Sequence, residues 1–150
     1  MIQAVRRRLR SSRSESGSAM VEFTLLVVPL LVPLVYLIIA MFEAQRTAFA
    51  VAEGARQGGR AYVTAGGGTE APGRALFAAN LAVVDQGLPP LKPDEMTVIT
   101  PQGFCGGGRV TITLHGSAHL PLLPKSAATF NVSATHTEVI DELQGLPPCG

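Results

Sequence analysis

Between Gly17 and Glu43 the sequence carries a single charged residue, Glu22. A lone carboxylate at the edge of an apolar stretch has two uses. It can sit among lipid headgroups and interact favourably with the positive end of a helix. It can also wait for a cation, because an unpaired acid inside an apolar bundle costs several kcal/mol. The other residues with chemical potential are His115, His119, His136, Cys105 and Cys149, which are all zinc-ligand types. On a strand, His115 and His119 would share a face, but Gly116 and the lack of nearby carboxylates argue against a metal site. The GGG runs at 66–68 and 106–108 read as linkers or turns, since no phosphate-binding loop leads into a helix. Ser, His and Asp occur without a pattern that gathers them, and Asp141-Glu142 reads as a solvated terminus. The Asn131-Val132-Ser133 triplet fits a glycosylation sequon, which would mean little if the source were bacterial. No enzyme activity, metal or cofactor is expected.

The elements that would position Glu22 begin with a charge asymmetry. Arg6, Arg7, Arg8, Arg10 and Arg13 stand in the first 17 residues against Glu15 alone, while the rest of the chain is net acidic. No aromatics interleave with this basic block and no basic patch recurs downstream, so nucleic acid is not an expected partner. The block has no apolar periodicity and reads as a leader that stays unfolded until bound. Residues 23–42, FTLLVVPLLVPLVYLIIAMF, are uncharged. As a helix they would span about 30 Å, the thickness of a bilayer's hydrocarbon core. Arginines before the run and acids beyond it predict a single-pass segment with its N-terminus in the cytoplasm and its C-terminus outside. Pro29 and Pro33 lie on one helical face, and each invites a kink by removing a backbone donor.

Beyond the membrane segment, residues 43–64 read as a continuation of the same helix. Met41, Ala44, Ala48, Ala52, Ala55, Gly59 and Tyr62 form a narrow face of mostly small residues, with Glu43, Arg46, Glu53, Arg56 and Arg60 opposite. Phe49 falls among the charges and reads as a contact. Gly54, Gly58 and Gly59 would weaken the helix in isolation. AGGGTEAPG (65–73) reads as a flexible break, 73–87 as a short helix stopped by Gly87, and LPPLKPDE as a rigid connector. The period then changes to two, and 96–100, 109–120 and 129–140 read as three strands of a small antiparallel sheet. The expected architecture is α+β: a long N-terminal transmembrane helix with a small extracytoplasmic head of one short helix and a three-stranded sheet. Its pieces are a basic leader (1–17), the membrane helix (18–42), the helix continuation (43–64) and the head (65–150). Cys105 and Cys149 fall on the outer side, where one disulfide is expected. Closing that loop would contribute about 4 kcal/mol in the chain-entropy model. Only Cys149 would tie down the terminal QGLPPCG.

The order Gly17, Ser18-Ala19-Met20-Val21, Glu22-Phe23, then an apolar helix, resembles a type IV pilin junction, and more particularly that of the tight-adherence (Flp) subgroup. GSAMVEFTLLVVPLLVPLV and the later EGARQGGRA are similar to TadE-like pseudopilins, over about residues 14–60. The resemblance implies that a prepilin peptidase cuts between Gly17 and Ser18, with Glu22 and Phe23 as part of the recognised address. A peptidase at the membrane edge needs a backbone it can open, and Gly17-Ser18-Ala19 offers little steric resistance. Cutting would give Ser18 a new α-ammonium group, and Glu22 would pair with that of a neighbouring subunit to set register. The implied partners are the peptidase, other pilus subunits, the assembly platform and the membrane. The implied location is the bacterial cytoplasmic membrane, with entry into a surface pilus after processing.

Two other readings compete. A secreted binding module would use the whole N-terminus as a signal peptide cut after AFA (48–50), although the apolar run exceeds a normal signal core. An uncut single-pass protein would carry the head as a sensor or scaffold.

Overall fold

The computed structural model describes residues 2–120 and 129–150, with side chains from residue 18 onward. The chain divides into two compact units, Met1–Met41 and Phe42–Gly150. Helix α1, Ile2–Thr64, begins in the first and ends in the second. The basic leader is thus helical instead of unfolded, which suits its content of Arg, Gln, Ala and Glu, all good helix formers. Pro29 and Pro33 lie inside α1 without ending it. In the first unit the apolar side chains face outward: Phe23 is 67% exposed and Leu30 73%. The helix from residue 18 is long and apolar enough to cross a bilayer.

The second unit is the predicted α+β head together with the last part of α1. Helix α2, Ala71–Asp85, is followed by a 3-10 turn at Pro93–Glu95 and by strands β1 (Met96–Ile99), β2 (Arg109–His119) and β3 (Thr129–Val139). All three strands lie within a residue of their predicted limits. They form an antiparallel sheet in the order β1-β2-β3, with Val98 opposite Ile112 and Ile112 opposite His136. The hydrophobic alternation sets this register. Val110, Ile112, Leu114 and Ala118 all point inward and are fully buried, and a slip of one residue would turn them out to water. On the outward face Thr111 and Thr113 bond to Thr137 and Thr135, each at 3.0 Å between hydroxyl oxygens.

The core joins Val51, Ala55, Tyr62 and Val63 of α1 to Ala71, Ala75, Ala79 and Val83 of α2 and to the inward residues of β2. The buried stripe of α1 is not the one expected. Ala55, Gly59 and Tyr62 are buried, but Ala48, Ala52 and Met41 are exposed. The stripe instead runs through Thr47, Ala50, Val51, Gly54, Ala55, Gly58, Gly59 and Tyr62. Its glycines are where neighbours come closest. A β carbon on Gly54 would lie 3.1 Å from both Leu114 Cδ1 and Val83 Cγ2, and one on Gly58 would lie 3.2 Å from the Ala75 carbonyl oxygen. What the helix loses in propensity at these positions is offset by packing that a side chain would prevent. Phe49, expected to make a contact, is 70% exposed.

The connections are firmer than their composition suggested. Gly66, Gly67 and Gly68 all have positive φ, and Gly67 lies so close to the Phe104 ring that a β carbon would come within 2.6 Å of it. This turn, expected to be a flexible break, therefore has glycine for both conformation and space. Phe104 in turn packs on Tyr62, with ring centroids 6.2 Å apart. Helix α2 ends in a Schellman motif, with Gly87 N–H bonded to Val84 O and Leu88 N–H to Val83 O. The connector that follows is clamped by Asn80, which accepts from Leu91 N–H at 2.6 Å and donates to Leu91 O at 3.2 Å.

Cys105 and Cys149 form the expected disulfide, with Cα atoms 5.2 Å apart. The C-terminal tail is held by more than that bond. Gly106 N–H donates to Pro147 O, Cys149 N–H donates to Gly106 O, and Ile140 N–H donates to Gly108 O.

Candidate functional site

In the first unit, Ser18, Glu22 and Phe23 all lie on α1 with exposed side chains, and the Gly17-Ser18 bond falls inside the helix. Glu22 forms no hydrogen bond or ion pair among the described residues. The surroundings of the leader arginines and of Gly17 lie outside the described side chains. One turn on from Met20, the Thr24 hydroxyl donates to the Met20 carbonyl at 2.8 Å, so it is already satisfied along its own helix.

A helix turns about 100° per residue, so Glu22, Pro29, Pro33 and Tyr36 fall on one stripe. Its members interrupt an otherwise apolar, hydrogen-bonded helix in different ways. Glu22 carries its carboxylate. Pro29 and Pro33 cannot donate to the carbonyls of Leu25 and Pro29, four residues back. Among the described residues the enclosed Tyr36 hydroxyl has no hydrogen-bond partner. The sequence reading singled out the acid and the prolines but missed Tyr36. Its position seven residues after Pro29 was the signal that it shares their face.

In the second unit the imagined zinc set is not assembled. His115 is exposed on the outward face of the sheet, and the His119 Nδ1 lies 2.9 Å from the Thr129 hydroxyl. His136 points to the opposite face, level with Ile112, and its Nε2 lies 2.8 Å from Glu138 Oε2. Both cysteines are used in the disulfide. Among the described residues no group of three or more His, Cys, Asp or Glu side chains is gathered.

His136 and Glu138 instead meet two residues of α1. Arg56 and Arg60, one helical turn apart, line with them an open hollow of about 520 Å3. Gly59 permits this approach, since a β carbon there would lie 3.3 Å from His136 Cδ2 and 3.7 Å from Glu138 Cβ. Sequence reasoning placed both arginines on the charged side of the helix but could not place β3 beside them. Compared with family models, curated proteins and solved structures, the chain has no match in any of the three.

Proposed function

We propose that this chain is a minor pseudopilin of the tight-adherence type, a structural subunit in the assembly of a type IV pilus. The observation that carries the reading is the ordered junction of Gly17, Ser18, Glu22 and Phe23 at the head of an uncharged helix long enough to cross a bilayer. A peptidase at the cytoplasmic edge of the membrane cuts after Gly17, and α1 holds the subunit in the bilayer until it is taken into the pilus. Glu22 pairs with the Ser18 α-ammonium group of a neighbouring subunit. In an apolar bundle such a pair fixes axial register more than it adds stability. Glu22 and the carbonyls that Pro29 and Pro33 leave without a helical donor support this, because such groups suit a face covered by protein better than one left to lipid.

The secreted-module reading requires a cut after Ala50. Ala50 and Val51 are both fully buried, so a cut between them would divide the face of α1 that packs in the core of the second unit. N-terminal sequencing of the mature protein tests the proposal. A start at Ser18 supports processing after Gly17, whereas a start at Val51 or at the initiating Met1 rejects it.

A further inference from the structure

We propose that the hollow lined by Arg56, Arg60, His136 and Glu138 is a binding site for a carboxylate side chain, an aspartate or glutamate presented by an acidic polypeptide. This does not depend on cleavage after Gly17. The two guanidinium groups are the first reason. Among the described residues neither forms an ion pair or hydrogen bond through its side chain, although Arg46 on the same helix pairs with Glu43 at 2.6 Å. Arginine's planar fork matches a carboxylate, and two such forks a helical turn apart can both reach one ligand.

Charge selects the ligand further. Glu138 is turned toward His136, with which it shares a contact of 2.8 Å, and both side chains are about one third exposed, at 32% and 33%. Two guanidinium charges against one carboxylate leave a single net positive charge on the walls when the imidazole is neutral. That balance suits a monoanion such as a carboxylate better than a dianionic phosphate. The hollow is also open to solvent. A free ion there would keep most of its water and gain little. A side chain carried on a protein surface arrives with neighbouring contacts that add to the exposed ion pair.

Gly59 is the positioning element, since it lets β3 bring His136 and Glu138 up to the arginine-bearing face of α1. Nothing in the core requires the arginines, because Arg56 and Arg60 are exposed.

The test uses the full chain in detergent micelles and a fluorescein-labelled hexaglutamate peptide, followed by anisotropy. Hexaglutamine and inorganic phosphate serve as comparison probes. The expected result is binding of hexaglutamate but not hexaglutamine, weakened at least about tenfold by Arg56→Gln and by Arg60→Gln. Arg109→Gln, at the same end of the sheet as Glu138 but on the opposite, outward face, leaves binding unchanged. Glu138→Gln tightens binding by removing the like charge. Thermal melts of the two arginine variants match that of the parent. Equal loss with Arg109→Gln overturns the proposal, because the peptide is then responding to overall charge. So does phosphate displacing the peptide at equal concentration, or unchanged binding in both arginine variants. A Glu138→Gln protein that melts lower without binding more tightly also overturns it, since the arginines then serve only to neutralise Glu138.

Discussion

Val51 of α1 occupies the space that a side chain at position 116 of β2 would need: a β carbon on Gly116 would lie 2.5 Å from Val51 Cγ2. Along the inward face of β2 the residues shrink from Leu114 to Gly116 and Ala118, which gives the helix room to lie close to that end of the sheet. The pair is therefore a fit of shape, and its two halves should be coupled. Gly116→Ala is expected to lower stability by about 1–3 kcal/mol through overpacking. Val51→Ala alone should cost a similar amount by leaving a void. The double variant should be more stable than the sum of the two losses, a coupling measurable by thermal or chemical unfolding of the protein in micelles. Strict additivity would show that the close approach is absent.

Asn80 joins α2 to the proline-rich connector through two hydrogen bonds to Leu91, whose residue is only 8% exposed. Asn80→Ala should cost about 1–3 kcal/mol, because it leaves a buried donor and acceptor without partners. Hydrogen exchange at the Leu91 amide should speed up in the variant. An unchanged exchange rate would mean that the clamp does not hold the connector.

The disulfide should matter for the second unit and not for the helix before it. Replacing Cys105 and Cys149 together by serine is expected to lower stability by about 2–5 kcal/mol. Oxidised and reduced parent protein should melt at different temperatures, while the double variant should melt at one temperature with or without dithiothreitol. Gly108→Ala should disturb the same region, because a β carbon there would lie 3.0 Å from Cys149 Sγ.

For Glu22 the expected outcome separates insertion from assembly. Glu22→Ala removes one carboxylate from an exposed helical position, so the protein should still enter the membrane, as carbonate extraction would show. On the pseudopilin proposal, pilus assembly, scored by electron microscopy and by recovery of sheared filaments, should be lost. Normal assembly in the variant would remove Glu22 from any role in setting register.

Much of the architecture was written in local patterns. The uncharged run 23–42 marked a helix of membrane-spanning length, Gly87 marked the end of α2, and alternation marked β1, β2 and β3 to within a residue. These features are legible because each depends on period, composition or turn chemistry within a few neighbouring residues. The errors came where a partner decides. The stripe of small residues through Ala48 and Ala52 is exposed, and the buried one includes Thr47 and three glycines. Glycine counts against a helix when the helix is read by itself, but it is favoured where another backbone must come close. Phe49 shows the converse, a large apolar residue left 70% exposed.

By itself, then, the sequence determined the elements beyond the leader and their order, which follow from chain-local chemistry, and the cysteine pair, since only two cysteines are present. Only the tertiary structure decided which side of α1 faces the sheet, that Asn80 grips Leu91, and that His136 and Glu138 come to lie beside Arg56 and Arg60. Those relations link residues far apart in the chain, and they depend on how closely two surfaces can pack. No spacing rule carries that information, because the steric fit at Gly54, Gly59 and Gly116 exists only once helix and sheet have met.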